Sequence, residues 1–339
     1  MTVKLSQNLA KEMTAYCANI GLSSLLVQGA GGNVSWKDEN TLWVKASGTW
    51  LSEAEEKDIF VPVDLHHLNY AINNGNFLVQ PQLKTNSILK PSIETLLHAL
   101  MPQKIVVHLH PVEILAHLVS PNAEEVLRVA LNNSISWTLI DYYKPGPKLA
   151  QKIKQELQEN HTLQVIFLRN HGIVVGGSTI EEIKDVVKEL IGVLEHKIPS
   201  ILDAPTGASL EVIDGYDPIP DSALHQLALN PNLFKRLSTD WALYPDHVVF
   251  LGEYAKVFES VDEFYSRKYD LINLPELIFI KNIGTYITST FSKAKQIQLK
   301  CYFDVIIRCQ PGQLLITLNA SDIDELLNWD AEKYRISLA

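Results

Sequence analysis

The stretch Lys104-Ile105-Val106-Val107-His108-Leu109-His110-Pro111 decides how this chain is read. Its β-branched run predicts a buried strand over 104–110, and Pro111, with no N–H to give a ladder, ends it. Side chains alternate across a strand, so His108 and His110 share one face while Leu109 points into packing. Two imidazoles one strand repeat apart can share one metal ion, although histidines at a strand end are also met as plain solvated groups.

A second apolar strand, 164–168, runs into Arg169-Asn170-His171-Gly172. Gly172 lets the backbone turn tightly beside the His171 ring. If the two strands are neighbours, three histidines converge. Three neutral nitrogens with open positions left over is the layout of a catalytic zinc site rather than a closed structural one. A core histidine with satisfied hydrogen bonds is the competing reading of His171. Residues 92–100 read as a helix feeding the histidine strand. Glu94, in its first turn, is a favourable charge at the helix dipole or, beside a metal, a general base. His98 shares its face four residues on, to hold Glu94 or to act as an ordinary hydrogen-bonded histidine.

Upstream, Gly29-Ala30-Gly31-Gly32-Asn33-Val34-Ser35 is a glycine-rich loop before a strand, whose N–H groups can cradle an oxyanion. No helix follows it, so it is neither a dinucleotide fingerprint nor a P-loop. Lys45-Ala46-Ser47-Gly48 closes the next strand with a cation, a hydroxyl and a free backbone; for both segments an ordinary turn is the alternative.

The remaining elements fall around these. Leu9, Met13 and Cys17 give a helix over 6–20. Strands over 33–37 and 41–45 flank an Asp38-Glu39-Asn40 turn, and Pro62 confines 59–63 to a sheet edge. A helix follows Asp64. A third strand begins at Gly172, and Ser178-Thr179-Ile180-Glu181 is a capping-box pattern opening a helix over 179–196. Prolines and glycines punctuate 197–221, and periodicity is lost there. The expected organisation is therefore a first domain over 1–200, a linker over 201–221 and an accessory α/β domain over 222–339. The latter has strands at 247–251, 277–280 and 314–318 and a helix near 290–306. Its acidic residues Asp304, Asp322, Asp324 and Glu325 read as solvated helix faces. Trp241, Tyr244 and His247 read as packing, or as the border of a substrate entrance.

Composition agrees with a folded protein of about two domains at ~150 residues each: 339 residues, 46% apolar and 20% charged. Twenty-nine basic against 39 acidic residues leave a net charge of −10, the reverse of a nucleic-acid binder. Three cysteines and no CxxC argue against a disulfide framework and for a reducing compartment. Residues 1–17 have no apolar h-region. The greasiest stretch, 105–119, carries three histidines and a glutamate and is too short to cross a bilayer. The expectation is a cytoplasmic protein with no nucleic-acid or membrane partner.

Gly32-Asn33-Val34-Ser35, Ser47-Gly48, Ser92-Ile93-Glu94, His108-Leu109-His110 and Asn170-His171-Gly172 occur in this order and approximate spacing. Together they resemble the class II aldolase/adducin superfamily over about residues 5–200. The wording of several motifs is similar to the aldolase half of bifunctional rhamnulose-phosphate aldolase/alcohol dehydrogenases; no dehydrogenase fingerprint accompanies it. The resemblance implies a three-layer αβα sandwich around a mainly antiparallel sheet, and a homotetramer or other homo-oligomer. It implies His108, His110 and His171 as ligands of zinc or another divalent transition metal, and Glu94 as the acid/base. It further implies Gly32, Asn33, Lys45, Ser47, Gly48 and Ser92 around a phosphate or substrate. Aldolases of this family often carry a second hydroxyl residue where this chain has Ile93. Lys45 matches the epimerases' lysine, but those have aspartate at the position of Glu94. Non-catalytic adducin-type members generally lack the histidines. The implied activity is a retro-aldol lyase on a ketose phosphate or related hydroxy-ketone through a zinc-stabilised enediolate. Dehydration, epimerisation or decarboxylation at the same metal, and a non-enzymatic scaffold, are the alternatives.

Overall fold

A computed structural model describes residues 2–132, 134–196, 198, 211–268 and 274–338. The chain divides into two compact units: Met1–Glu195 with Asn328–Ala339, and His196–Leu327. The linker expected over 201–221 lies outside the described residues for its first ten positions. The last twelve residues, expected with the accessory domain, pack with the first unit.

The first unit runs α1 (Thr2–Gly21), β1 (Asn33–Asp38), β2 (Thr41–Lys45), β3 (Phe60–Asp64), α2 (Leu65–Asn73), α3 (Thr95–Leu100), β4 (Ile105–Leu109), α4 (Val112–Leu118), α5 (Ala123–Leu131), β5 (Trp137–Ile140), α6 (Pro147–Glu159), β6 (Val165–Leu168), β7 (Gly172–Gly177) and α7 (Ile180–Val193). Its sheet has seven strands in the order β3-β2-β1-β4-β7-β6-β5. Every pairing is antiparallel except β5 with β6. β3 lies at the edge, as Pro62 requires. The histidine strand β4 lies at the centre, and all five of its residues are buried.

Period-two alternation builds the layers. Ile105, Val107 and Leu109 of β4 join Val34, Trp36, Phe167, Ile173 and Val175 in a core closed by α1, α4, α5 and α7. Val106, Ile166 and Val174 face the other way, against Leu97, Leu149 and Ile153 of α3 and α6. Helices thus cover both faces of a mainly antiparallel sheet, the sandwich expected from the resemblance. Local signals fix the ends. Asp64 accepts the His67 N–H at 3.0 Å and starts α2. At α7 the capping box is one residue later than the sequence pattern suggested: Thr179 Oγ1 accepts the Glu182 N–H at 3.1 Å, while Glu182 Oε2 accepts the Ser178 N–H at 2.8 Å.

The second unit holds β8 (Asp217–Pro218), α8 (Gln226–Leu229), α9 (Pro231–Thr239), α10 (Pro245–Leu251), β9 (Val257–Phe258), α11 (Val261–Lys268), β10 (Leu277–Ile280), β11 (Gly284–Ile287), α12 (Lys293–Ile306) and α13 (Ala320–Leu327). Its sheet order is β8-β11-β10-β9. Three expectations fail here. Residues 247–251 are helix: Pro245, with φ preset and no N–H to lose, opens α10 ahead of the valines. Residues 314–318 form no strand; the Leu318 N–H bonds Ala242 O instead. Asp304 is also no solvated residue. It is buried, held by Lys300 and by the Arg308 side chain on its carbonyl. The chain returns to the first unit as α14 (Asp330–Ser337).

Candidate metal centre

β4 and β7 are adjacent and antiparallel, with His108 opposite Val174 and Leu109 opposite Ile173. His110 follows the end of β4, and His171 precedes the start of β7, so the register brings all three rings to one sheet end. Their ligand nitrogens lie within 4.8 Å of one another. Nε2 of His108 and Nε2 of His110 are 3.0 Å apart, and the ring centroids are separated by 4.7–5.4 Å. His108 Nδ1 lies 2.9 Å from the Ile173 carbonyl, which can only accept, so Nδ1 carries the proton and Nε2 keeps its lone pair for a cation. Burial holds the His171 imidazole well below its ordinary pKa, with the neighbouring His108, His110 and Arg335 charges acting the same way. A neutral ring is the ligating form.

The turn that presents His171 departs from the sequence reading in one respect. The left-handed residue is Asn170, at φ 54°, a conformation asparagine tolerates. Gly172 is needed for space: a Cβ there would stand 2.3 Å from Leu109 O and 2.8 Å from His110 Cδ2. His110 is held from behind as well. Its N–H bonds Leu26 O at 3.1 Å, and its carbonyl accepts from Gln28 Nε2 at 3.2 Å. Gln28 was not singled out in the sequence; a buried amide preceding a glycine run was its only mark.

Glu94 sits at the N-cap of α3, on the face of the sheet where His108 points. Its Oε1 is 3.5 Å from His108 Nε2 and 3.6 Å from His171 Nε2, and the residue is 8% exposed. Ser92 Oγ accepts the Glu94 N–H at 3.2 Å, and Ser92 O accepts from Thr95 Oγ1 at 2.6 Å, which fixes the turn carrying the carboxylate. His98 does not hold Glu94. Its Nδ1 is 2.8 Å from Ser35 Oγ, and burial keeps the ring neutral.

The proposed anion loop lies alongside. Asn33 is directly opposite His108 in the β1–β4 register, so the two side chains share a face. The Asn33 amide is 1% exposed, and neither its oxygen nor its nitrogen has a hydrogen-bond partner. Gly32, at φ +66°, passes under the strand end: a Cβ there would meet His108 O at 3.2 Å. Lys45 is buried and its ammonium donates to Ala30 O at 3.1 Å and Thr49 O at 2.6 Å, tying the glycine loop to the following turn. Ser47 N–H bonds Lys90 O at 2.9 Å, and Ala46 bridges Pro91, which brings the Ser47-Gly48 turn against the segment that carries Ser92 and Glu94.

Among the described residues no helix is long and apolar enough to cross a membrane. The uncharacterized oxidoreductase YuxG of Bacillus subtilis is 26% identical over 235 residues, 64% of this chain; the chain spans only 33% of that protein. An L-fuculose phosphate aldolase of Methanococcus maripaludis is 30% identical over 186 residues, covering 50% of this chain and 87% of the relative. Among solved structures, the N-terminal class II aldolase domain of a conserved protein from Thermoplasma acidophilum is similar with 25% identity and a TM-score of 0.46, over 54% of this chain and 91% of that one. The family model for the class II aldolase and adducin N-terminal domain matches residues 11–196, more than half of the chain, and the protein belongs to that family.

Proposed function

We propose that the first unit is a metal-dependent lyase that cleaves a carbon–carbon bond of a ketose phosphate or related hydroxy-ketone by a retro-aldol step. The observation that carries this reading is the meeting of three buried imidazoles with one buried carboxylate. His108, His110 and His171 would hold zinc or another divalent transition ion. When bound, such an ion supplies Lewis-acid stabilisation of negative charge growing on the substrate carbonyl oxygen, worth several kcal/mol.

The chain's own residues supply the rest. Glu94 stands beside the ligand nitrogens of His108 and His171 without being one of the converging set. It would therefore move a proton at the carbon next to the carbonyl, a role worth ~10²–10⁴ in rate. Asn33 offers an amide that burial has stripped of water, and a substrate hydroxyl or phosphoryl oxygen would satisfy it. The Gly32, Ser47, Gly48 and Ser92 backbone and hydroxyls would line the same approach and take the phosphate. Lys45, bonded to two carbonyls, would serve that pocket by holding its two loops together and adding positive charge beneath them. A homo-oligomer in the cytoplasm is the setting proposed for this activity.

The reading is tested by loading the purified chain with zinc and following a panel of ketose phosphates by proton NMR. Appearance of an aldehyde and a dihydroxyacetone-type product is expected. Loss of water, inversion at a single carbon or loss of carbon dioxide would assign the same centre to dehydration, epimerisation or decarboxylation. A protein that holds no metal and turns over nothing on the panel would be a scaffold.

A further inference from the structure

The two edges of the seven-stranded sheet are finished differently. At one edge β3 carries Pro62, and the following chain covers it: the Asp64 N–H bonds Gln82 O at 2.8 Å, the Lys84 N–H bonds Pro62 O at 2.9 Å, and Val63 bridges Leu83. At the other edge β5 pairs with β6 alone, and its sequence Trp137-Thr138-Leu139-Ile140 has neither charge nor proline. Sheets usually blunt an open edge with such residues, because the edge is a template for another strand. The ladder shows which groups are left over. The Val165 N–H bonds Ser136 O at 3.1 Å, and the Arg169 N–H bonds Ile140 O at 2.9 Å. Backbone groups alternate sides along a strand, so Ser136, Thr138 and Ile140 serve β6, and the N–H and C=O of Trp137 and Leu139 point outward. These four groups open on a groove of about 570 Å³ flanked by Glu124 and Arg128 of α5 and by Asn160.

We propose that this edge pairs with the same edge of a second copy of the chain, antiparallel about a two-fold axis at Thr138. This gives the homo-oligomer proposed above a definite surface, and it does not depend on the metal centre. In that register Trp137 and Leu139 of each copy exchange N–H···O bonds with Leu139 and Trp137 of the other, so all four outward groups are used. Trp137 stands opposite Leu139 of the second copy, and Thr138 stands opposite itself, an aromatic–aliphatic and a threonine cross-strand pair. The axis carries no unpaired charge: Thr138 Oγ1 donates to Glu156 Oε2 at 2.9 Å, and Lys152 Nζ neutralises Glu156 at 2.6 Å. The rim also suits its own copy. Glu124 and Arg128 are one acid and one base, so two identical rims meet without net repulsion. Because β3 is covered, this sheet offers a copy only β5, and the isologous join closes at two.

The test is sedimentation velocity of the full chain over a concentration series, with hydrogen exchange of the 135–141 amides read in the same samples. Wild type is expected to associate as concentration rises, and the Trp137 and Leu139 amides to exchange more slowly as it does. Leu139→Pro removes an outward N–H and leaves the β6 ladder whole. Each two-fold pair then loses two of its four bonds, so association should weaken about 10- to 100-fold. Glu124→Lys gives a rim with two bases and Arg128→Glu a rim with two acids, both on exposed side chains. Each variant alone should associate about 3- to 10-fold more weakly than wild type, and a one-to-one mixture of the two should recover. Should Leu139→Pro fail to fold, these charge variants decide. Wild-type self-association in both of them, or Trp137 and Leu139 amides that exchange equally in dilute and concentrated wild type, would overturn this surface and move the oligomer to another face. A wild type that stays a single chain at every concentration would remove the surface and the homo-oligomer together.

Discussion

His247 in the second unit and the three histidines of the first are buried alike, at 0% exposure against 1–6%. Desolvation disfavours the charged ring in both places, pushing His247 down to about 3 and His171 well below its usual value. The surroundings differ. His247 is wedged between Trp241, Tyr244 and Tyr302, with ring centroids at 4.3, 5.5 and 4.7 Å, and neither of its nitrogens has a hydrogen-bond partner. His108 has one nitrogen committed to a carbonyl and the other turned toward two further imidazoles and a carboxylate. Burial alone yields a neutral imidazole. A ligand needs in addition a partner that selects the tautomer and neighbours that converge on one point.

That contrast can be broken first at Glu94. Glu94→Gln should lower turnover by ~10²–10⁴ while metal content, read by elemental analysis, stays at the wild-type level. A variant with near-normal turnover would leave the carboxylate with the same packing role as the groups around His247. The next largest effect is expected at Gly172. Gly172→Ala drives a methyl into Leu109 O and the His110 ring, so thermal unfolding should show a loss of about 1–3 kcal/mol together with weaker metal binding. Stability lost with metal affinity intact would separate the turn from the site.

The smallest effect sharpens the other side of the comparison. Unfolded His247 takes up a proton below about pH 6.5, whereas the folded residue does so only near 3. The unfolded state thus binds more protons between those values, and stability falls as pH drops through that window. The expected contribution is about 1.4 kcal/mol per pH unit. Urea titrations at pH 6 and 5, followed by tryptophan fluorescence, should show this extra loss in the wild type and lack it in His247→Leu. Equal losses in the two proteins would mean that His247 is not held neutral by its surroundings.

Much of the centre was legible because period two is a strict rule. Once 104–110 is a strand, His108 and His110 must share a side, and Pro111 fixes where it stops. The run 164–168 ending in Asn-His-Gly marks His171, but that strand is not the neighbour of the histidine strand: β7 stands between them, and its start brings His171 to β4. The division of labour between Asn170 and Gly172 depends on how closely β4 passes, which no local pattern encodes. Residues 247–251 misled for the reason short apolar runs do: valines and a phenylalanine suit a strand, and only Pro245 at the first helical position tips the balance. The four-residue strand β5 is too brief for periodicity to register. The return of residues 328–339 to the first unit was invisible, since an ordinary helix far along the chain carries no sign of which unit it packs on.

The central claim is tested most directly by the metal content of dialysed protein after exposure to zinc, wild type against His110→Ala, with X-ray absorption at the zinc edge. The account predicts about one ion per wild-type chain with three nitrogen ligands at roughly 2.0–2.1 Å, and its loss in the variant. Equal zinc in both proteins, or an edge spectrum without imidazole scattering, would contradict it.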